Sequence, residues 1–475
     1  MSDEKNVKMD DIVSLAKRRG FIYPGSEVYG GLSGTWDYGP LGVALKRNIM
    51  QLWWKMFVQD RDDMLGVDAA ILMNQKVWQA SGHVDTFTDP LVGCSNCHGR
   101  FRADKLDDPN KCPTCGKTDT FGEARAFNMM FQTKIGPTAK EAHYAVPKDL
   151  VKKIYDSTED GKMAEFHFSD LGIGEVSQDI VYLRPETAQG IFTNFKNVVD
   201  SFYPDVPFGL AQQGKAFRNE ISPRDFIFRS REFEQMEIEY FVHPDKWEEA
   251  FEAWRKAVWE WCGALGLPKE SVHELEVPEE ERAHYSKRTI DFEFDFPIGR
   301  EELLGLAYRT DFDLMNIQRA SGKSMEYRPK DGGPAFVPHV IEPSFGVERA
   351  LMAVLSAAYR EDEQNGEKRI YLALPAHLAP VKIAVLPLAK NKPELVAKAR
   401  EVYAILKKEI GNVMWVDTGN IGKNYRKMDE IGVPYCVTVD FETLEGDTKD
   451  TVTVRNRDTT EQERVKIEDL IALVK

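Results

Sequence analysis

Charged and aromatic residues surround a short loop in the stretch GKAFRNEISPRDFIFRSREFEQMEIEYF, residues 214 to 241. Strand periodicity predicts that Arg218 and Glu220 share one face before the loop. Phe233 and Glu237 share a face after it in the same way. A guanidinium suits a polyphosphate because it donates two parallel charge-assisted hydrogen bonds, and an aromatic ring can stack on a purine. The stretch therefore predicts a nucleotide site, although a salt-bridged sheet face would have the same composition.

A second stretch of similar character, HVIEPSFGVERALMAVL, occupies residues 339 to 355. Gly346 permits close backbone approach, and Arg349 follows it at the start of an apolar helix, where anions are favoured. The stretch predicts a second anion contact. Alternatively, Gly346 is only a turn residue and Arg349 only a surface charge.

Two Cys-x2-Cys pairs, separated by fourteen residues, have the spacing of a zinc ribbon. Each pair would supply two thiolates to a closed, tetrahedral, structural site. His98 adjoins one cysteine and has poor geometry for a ligand. The alternative is four free thiols. The predicted ligands are Cys94, Cys97, Cys112 and Cys115.

Composition describes a globular protein of 475 residues with 42% hydrophobic and 29% charged residues, enough for two or three domains. No apolar run approaches the ~20 residues of a membrane helix, and the N-terminus is too charged for a signal peptide. We therefore expect a cytoplasmic protein without membrane association. In a reducing compartment the paired cysteines favour metal, whereas Cys262 and Cys436 are expected to be core thiols.

The net charge of −15 argues against indiscriminate nucleic-acid binding, which needs clustered Lys and Arg. A local contact with a polyanion remains compatible with this charge. Near residue 423 the tail offers a basic and aromatic patch, which a solvated helix face explains equally well. Its members are Lys423, Tyr425, Arg426 and Lys427.

The elements that must position these residues fall into four regions. Residues 1–92 contain helical patterns, 93–180 form a polar insertion with the cysteines, and 181–375 alternate strands and helices. Alternation in TIDFEFDF indicates a sheet with one buried face, and the aromatic stripe in DKWEEAFEAWRKAVWEWCGAL indicates core packing. Residues 381–475 alternate apolar strands and helices, and so predict a separate small α/β domain.

The two charged stretches together resemble motifs two and three of the class II aminoacyl-tRNA synthetases. Further stretches resemble the glycyl-tRNA synthetases of the dimeric, single-chain type: RRGFIYPGSEVYGGLSGTWDYGPLG, AAILMNQKVWQASGHVDTFTDP, RPETAQGIFTNF and EPSFGVERAL. Apart from the 93–180 insertion, the resemblance covers nearly the whole chain. The resemblance implies an α+β fold with an antiparallel catalytic sheet of six or seven strands flanked by helices. It also implies an anticodon-binding domain after residue 380.

The resemblance further implies glycine, ATP, Mg²⁺ and the tRNA for glycine as substrates and partners. A homodimer is implied, with the segment around Gly39 and Pro40 and the following helix at its interface. Arg218 and Arg229 would hold the α-phosphate and the attacking carboxylate, and Arg349 would reach the γ-phosphate. These three are the predicted catalytic residues. The full ATP-binding set is Arg218, Asn219, Glu220, Phe228, Arg229, Ser230, Arg231, Glu232, Phe233, Glu302, Leu303, Gly346, Val347, Glu348 and Arg349.

Glycine has no side chain to recognise, so a glycine site must read the ammonium and carboxylate while filling the space of a side chain. Acidic groups around the ammonium match the family at Glu186, Glu237 and Glu342. Ser344 replaces the first Gly of the usual GxGxxR pattern, which favours glycine over other amino acids. The predicted glycine-binding set is Arg102, Glu186, Phe233, Glu234, Gln235, Met236, Glu237, Glu342, Pro343, Ser344, Phe345 and Gly346.

Two other functions compete with a glycine-specific ligase. One is a non-catalytic nucleic-acid-binding relative of the same fold, which would lack the motif arginines and acids. The other is a synthetase for a different amino acid, against which the acidic cluster and Ser344 argue. The presence of the motif residues favours the enzyme.

Overall fold

The computed structural model describes residues 7–135, 180–364 and 366–474. Part of the predicted 93–180 insertion therefore lies outside the described residues. The strands are β1 (Ile22–Pro24), β2 (Trp36–Tyr38), β3 (Met64–Gly66), β4 (Thr88–Gly93), β5 (Arg100–Arg102), β6 (Arg125–Asn128), β7 (Gln132–Lys134), β8 (Ile180–Tyr182), β9 (Phe208–Phe217), β10 (Glu232–Val242), β11 (Val272–Glu276), β12 (Arg288–Phe296), β13 (Gly299–Thr310), β14 (His339–Gly346), β15 (Tyr359–Gln364), β16 (Glu367–Leu372), β17 (Ile383–Pro387), β18 (Val413–Trp415), β19 (Tyr435–Val439), β20 (Thr451–Asn456) and β21 (Gln462–Lys466).

Helices alternate with these strands through the described ranges. They are Met9–Arg19, Pro40–Trp54, Gln75–Ala80, His83–Thr86, Ala188–Phe202, Trp247–Ala264, Phe312–Ser321, Val347–Ala358, Pro393–Ile410, Ile421–Glu430 and Leu470–Val474. A π-helical stretch, Lys55–Gln59, extends the second of them. None of the helices in the described part of the chain is long and apolar enough to cross a membrane.

The central sheet has seven strands in the order β11-β12-β13-β14-β10-β9-β3. Its neighbours pair antiparallel except for β3 with β9, which pair parallel. The predicted antiparallel class II sheet is therefore confirmed. Because β10, β13 and β14 are adjacent at the centre, side chains from distant parts of the sequence share one face.

One face of this sheet packs on helices. Phe292 and Phe294 of β12 are buried, as their alternation predicts, and so are Trp254 and Trp261 of the helix Trp247–Ala264. Each fully buried large apolar side chain contributes roughly 1.5–3 kcal/mol relative to exposure. The aromatic stripe of that helix is therefore core. On the opposite face the helix Ala188–Phe202 covers Phe208, Leu210 and Phe241, and the rest of that face is left to form a site.

The second helix, Pro40–Trp54, packs closely against the backbone at Gly20 and Phe21. A Cβ on Gly42 would lie 1.8 Å from the Phe21 carbonyl oxygen, so only glycine permits this contact. Gly39 is buried against the Gly20 carbonyl of the same chain, whereas Pro40 is exposed. Exposed apolar side chains lie just before this helix, at Val28, Tyr29 and Leu32.

The chain after residue 380 forms a five-stranded sheet in the order β18-β17-β19-β20-β21. β17 pairs parallel with β18 and β19, and helices Pro393–Ile410 and Ile421–Glu430 connect these strands, as the sequence predicts. The antiparallel strands β20 and β21 were not anticipated from the pattern. The charged residues of TVTVRNRD obscure strand periodicity, because Arg455 and Arg457 are buried in this structure.

Candidate active site

A cavity of about 560 Å³ opens on the free face of the central sheet. Its walls combine the loop between β9 and β10, the middle of β10, β13 and β14, and the segment between β11 and β12. Seventeen predicted residues line it: Arg102, Glu186, Arg218, Glu220, Phe228, Arg229, Ser230, Phe233, Gln235, Glu237, Glu302, Leu303, Glu342, Ser344, Gly346, Glu348 and Arg349.

The loop between β9 and β10 contributes the arginines at one end of the cavity. β9 ends at Phe217, so Arg218 and Glu220 lie beyond the strand, and the prediction that they share a strand face is wrong. The Arg218 guanidinium is held by the Pro185 carbonyl at 3.1 Å and lies over the Phe233 ring at 5.3 Å. Loop geometry, rather than strand alternation, brings these groups together.

Glu220 is a buried carboxylate with an open acceptor. It is 8% exposed, and its Oε2 atom has no hydrogen-bond partner among the described residues. Burial raises the pKa of Glu220, and the nearby Arg229 and Arg218 oppose that rise. Leaving a buried acceptor unsatisfied costs about 1–3 kcal/mol, so the site is built for a donor that arrives with a ligand.

Arg349 lies near the start of the helix Val347–Ala358, as predicted, and pairs with Glu302. Its Nη1 atom is 2.9 Å from Glu302 Oε2, and its guanidinium lies 4.6 Å from the centre of the Phe228 ring. Gly346 has an ordinary φ of −84°, and a Cβ there would contact Arg349 at 3.6 Å. Gly346 thus makes no strained turn, and a Cβ there would be in ordinary van der Waals contact with the arginine.

The far end of the cavity is acidic. Glu237 of β10 is 2% exposed and accepts a hydrogen bond from Ser344 Oγ at 2.7 Å, across the β10–β14 pairing. Thr187 Oγ1 donates to the other carboxylate oxygen. Burial and the neighbouring Glu186 raise the pKa of Glu237. We call the surface formed by Glu186, Glu237, Glu342 and Ser344 the acidic pit.

Glu186 is oriented by His83, for which no role was predicted. His83 Nε2 lies 3.3 Å from Glu186 Oε2, and its Nδ1 atom lies 2.8 Å from Ser81 Oγ. Burial raises the pKa of Glu186, but His83, Arg309 and Arg218 together outweigh burial and the pKa falls to about 2. Glu186 is therefore a carboxylate, and its Oε1 atom is buried without a partner in the described chain.

Glu342 forms the third wall of the pit and is held by Arg309, which sequence reasoning also missed. Arg309 is 2% exposed, and its Nη1 donates to Glu342 Oε1 at 2.8 Å. The same guanidinium donates to both oxygens of Asp313, at 2.8 and 2.9 Å. Burial raises the pKa of Glu342 to about 8 against the lowering effect of Arg309.

Behind these groups, Glu239 is fully buried, and neither of its carboxylate oxygens has a hydrogen-bond partner among the described residues. Burial and Glu342 raise its pKa well above the ordinary value. Four glutamates thus crowd around one buried arginine and one histidine. A site with this surplus of acceptors is suited to a small cation that brings several donors.

Asp291 faces the cavity from β12, although its alternation with buried phenylalanines suggested an exposed position. Burial and the carboxylates of Glu302 and Glu293 raise its pKa to about 7. Register explains the proximity, since Asp291 pairs with Gly305, where a side chain is absent. Strand alternation alone could not distinguish a solvent face from a ligand face.

Eight predicted site residues do not line the cavity. Met236, Phe345 and Val347 are core residues, and Pro343 is buried in β14. Glu232 and Glu234 pair with Lys215 and Lys46 on the other face of β10. The remaining two make loop contacts: Asn219 N donates to the Met129 carbonyl, and Arg231 donates to the Glu220 and Ser33 carbonyls.

Arg102 reaches the cavity from β5 and is already paired. Its guanidinium lies 3.0 Å from Asp89 Oδ2 and 2.7 Å from Asp104 Oδ2. The pKa of Asp89 is raised by burial despite this arginine. The predicted contact with substrate therefore requires Arg102 to bind it while paired with Asp89 and Asp104.

The four predicted ligand cysteines converge. Their sulfur atoms all lie within 4.8 Å of one another, with Cys94 Sγ 3.8 Å from Cys115 Sγ and Cys97 Sγ 3.5 Å from Cys112 Sγ. Zn–S bonds of ~2.3 Å in a tetrahedron separate sulfurs by roughly 3.8 Å. The residues present fit a zinc ion.

The basic patch of the tail is partly committed to contacts within the chain. Tyr425 Oη lies 2.6 Å from Thr438 Oγ1, and Arg426 pairs with Glu367. Lys423 is exposed. Tyr425 and Arg426 are thus engaged within the chain, and Tyr425 packs against the core rather than on a solvated face.

Comparison with known proteins agrees with this architecture. The family model described as the tRNA synthetase class II core domain (G, H, P, S and T) matches residues 168–358, and the anticodon binding domain model matches residues 382–475. A relative from Clostridium kluyveri, named glycine–tRNA ligase, is 45% identical over 98% of this chain and 98% of that protein. Relatives of the same name from Thermobifida fusca and Streptomyces coelicolor are each 44% identical, over 98% of this chain and 97% of each relative. With a class II sheet, an acidic pit beside convergent arginines and this full-length identity, the chain belongs to the glycine–tRNA ligase family.

Proposed function

We propose that this protein attaches glycine to its tRNA in two steps, through a glycyl-adenylate. The observation that carries the proposal is the acidic pit, which shares one cavity with Arg218, Arg229 and Arg349. The pit suits an ammonium without a side chain, and the arginines suit a triphosphate. One cavity thus holds the groups that both substrates of the first step require.

In the first step, a carboxylate oxygen of glycine attacks the α-phosphorus of ATP, and the bond to the pyrophosphate oxygen breaks. Arg218 and Arg229 neutralise the charge on the α-phosphate, while Arg349 holds the γ-phosphate after leaving Glu302. Glu220 accepts from the adenine amino group and Phe233 stacks on the ring. No side chain acts as a nucleophile, because positioning and charge neutralisation suffice for in-line displacement.

Two carboxylates in this cavity fit Mg²⁺, which prefers oxygen ligands together with substrate phosphates. Glu302 of β13 and Asp291 of β12 both line the cavity, and the repulsion between them contributes to the raised pKa of Asp291. When bound, the ion would supply charge neutralisation for the leaving pyrophosphate. Asp291 and Glu302 would hold it, Glu302 after releasing Arg349.

Glycine is read by the pit. Its ammonium donates to carboxylate oxygens of Glu186, Glu237 and Glu342, one of which is unpartnered in the described chain. Ser344 fixes the Glu237 carboxylate through the 2.7 Å hydrogen bond. A larger amino acid would offer the same ammonium, so selectivity depends on space as well as charge.

In the second step, the 3′-terminal hydroxyl of the tRNA attacks the carbonyl carbon of glycyl-adenylate, and AMP leaves. We propose residues 381–475 as the anticodon-binding domain and residues 1–92 with 181–375 as the catalytic unit, interrupted by the 93–180 insertion. The match of an anticodon binding domain to the tail supports this division. We propose the cytoplasm as its compartment because a cysteine metal site needs reduced thiols.

The four cysteines are proposed to bind one structural zinc ion that orders the insertion near the acceptor stem of the tRNA. We expect close to one zinc per chain by elemental analysis of the purified protein. Cys112→Ser should lower the zinc content and the melting temperature, whereas Cys262→Ser, a core thiol remote from the cluster, should keep the zinc. A wild-type content far below one per chain would contradict the metal site.

A homodimer is proposed, with its interface near the helix Pro40–Trp54. Val28 and Tyr29 are 85% and 90% exposed, and a second copy would cover these apolar side chains. Sedimentation equilibrium should give twice the chain mass for the wild type. Tyr29→Asp should shift the protein toward monomer, and a monomeric wild type would contradict the proposal.

The decisive experiment is ATP–pyrophosphate exchange with each of the twenty amino acids. We expect exchange with glycine alone, and its loss in Arg218→Ala with retained secondary structure. Exchange with no amino acid in folded protein would instead favour a non-catalytic nucleic-acid-binding relative. Exchange with another amino acid would show that the pit has a different substrate.

A further inference from the structure

The segment between β11 and β12, residues 277–287, folds over the acidic end of the cavity. Arg282 ties its two ends together, since Nε donates to the Val277 carbonyl at 2.8 Å and Nη1 donates to the Lys287 carbonyl at 2.6 Å. Ser286 Oγ adds a hydrogen bond to the Arg288 carbonyl at 2.8 Å. The segment is therefore a closed loop with a fixed shape, which we call the flap.

Tyr285 is the large side chain that the flap directs into the cavity. Its ring centre lies 3.8 Å from the Arg309 guanidinium carbon, a close stacking contact. Such a contact is worth roughly 0.5–2 kcal/mol, depending on desolvation. Burial raises the pKa of the Tyr285 hydroxyl well above its ordinary value, with Glu342 and Glu186 among the groups acting on it. The ring thus stands beside two walls of the acidic pit.

The position of this ring is fixed by the same guanidinium that holds the pit. Arg309 is anchored on Glu342 and on both oxygens of Asp313. Phe192 lies 5.3 Å from the guanidinium as a second ring contact. Because Arg309 cannot move without breaking buried ion pairs, Tyr285 is a rigid wall and not a mobile surface side chain.

A rigid wall has a chemical consequence for a site that reads an ammonium and a carboxylate. Alanine and serine carry both groups, so the charges of the pit cannot reject them. Only occupied space can exclude a β-carbon, and the bulk around one methyl group is worth about 10–200-fold in discrimination. The known pit residues are carboxylates and a hydroxyl, whereas Tyr285 supplies a broad apolar surface.

We propose that Tyr285 is a specificity-determining residue, whose ring closes the side of the acidic pit and occupies the space that the β-carbon of a larger amino acid would need. This inference rests on the proposed activation of glycine. The hydroxyl plays no part in the exclusion, which depends on the bulk of the ring and its stacking on Arg309.

The test measures kcat/KM for ATP–pyrophosphate exchange with glycine, L-alanine and D-alanine. Both alanines are used because their methyl groups lie on opposite sides of the α-carbon. Tyr285→Ala should raise the alanine-to-glycine ratio at least tenfold for one enantiomer or both, and Tyr285→Leu should raise it less. Tyr285→Phe should keep the wild-type ratio. Glu280→Ala is the matched control, since this exposed residue belongs to the flap but does not line the cavity.

The outcomes separate the two proposals. If wild-type protein shows no glycine-dependent exchange, the proposed function fails before Tyr285 is tested. If Tyr285→Ala and Tyr285→Leu activate glycine with the wild-type ratio, Tyr285 does not determine specificity. Loss of all exchange in both variants, at an unchanged melting temperature, would show that the ring serves only to hold Arg309 and would overturn the proposal. If the alanine variant does not fold, the leucine variant decides by the same ratio.

Discussion

Two clusters of buried charge in this molecule differ in how completely their atoms are paired. In the tail, Asp429 accepts from Arg455 at 2.7 and 2.9 Å and from Arg369 at 3.2 Å. Arg457 donates to the Gly432 and Leu374 carbonyls, both at 2.9 Å. Each of these guanidinium groups has an acceptor, and the cluster joins the β15–β16 hairpin to the tail sheet.

The acidic pit is the opposite case. Its carboxylates outnumber its cations, and Glu186 Oε1 lacks a hydrogen-bond partner within the described residues. The comparison teaches that buried charge by itself does not indicate a binding site. A surplus of one sign facing a cavity does, because only a ligand can satisfy it.

The largest expected effect would come from breaking the fully paired charge cluster of the tail. Asp429→Ala leaves Arg369 and Arg455 buried without their carboxylate, which should reduce the free energy of unfolding by about 3–5 kcal/mol. Urea unfolding measures this loss, and Asp447→Ala, on the exposed surface of the same tail, should stay within about 0.5 kcal/mol of wild type. Glycine-dependent pyrophosphate exchange below the unfolding transition should be unchanged. Equal stability of the two variants would mean that the cluster is not structural.

In the acidic pit we expect a smaller effect, which falls on kcat/KM and not on stability. Glu237→Gln keeps the shape but removes the charge that the ammonium needs, and a hydrogen bond to a charged group is worth about 1.5–3 kcal/mol. The kcat/KM for glycine should fall by about 100-fold at 3 kcal/mol, with little loss of stability. Steady-state exchange kinetics and thermal unfolding measure the two quantities.

The matched control for this change is Glu274→Gln, on the same sheet. Glu274 pairs with Arg255 and Trp259 outside the cavity, so its loss should leave glycine kinetics unchanged. If Glu237→Gln lowers the stability and leaves kcat/KM unchanged, the acidic pit is a structural cluster like that of the tail, and the contrast between the two fails.

The smallest effect concerns pH and the Mg²⁺ carboxylates. The pKa of Asp291 is raised to about 7 in the folded protein, above its ordinary value of 3.8. The folded state therefore keeps a proton that the unfolded chain loses, and stability falls as pH rises from 3.8 towards 7. Because water screens this partly exposed group, the loss should be about 1–2 kcal/mol. Asp291→Asn should remove this loss of stability. Unfolding experiments between about pH 5 and 8 measure it.

Asp295→Asn is the control, because this residue of the same strand has its pKa lowered by His273 and Arg300 against the effect of burial. It should not remove the fall in stability. Saturating Mg²⁺ and ATP should restore the stability that the wild-type protein loses at the upper pH. An Asp291→Asn protein whose stability depends on pH as that of the wild type does would contradict this account.

The sequence by itself determined the fold class, through its resemblance to the class II synthetases. It also determined the tail strands β17 to β19 with their helices, and the cysteine cluster, which depend on local periodicity or on spacing between residues that are close in the chain. The alternation of Phe292 and Phe294 and the helical stripe with Trp254 predicted burial correctly, since burial of apolar side chains dominates the energetics of those segments. The resemblance to the family predicted seventeen of the residues that line the cavity, including Arg218, Glu237 and Arg349.

Only the tertiary structure decided which charges meet. His83 reaches Glu186 over about a hundred residues of chain, and Arg309 reaches Glu342 through the pairing of β13 with β14. Asp291 and Tyr285 become cavity residues because of register and loop closure, which no local pattern encodes. The physical reason is range: periodicity reports the face of one element, whereas a binding site forms where several elements pack and leave polar atoms unpaired.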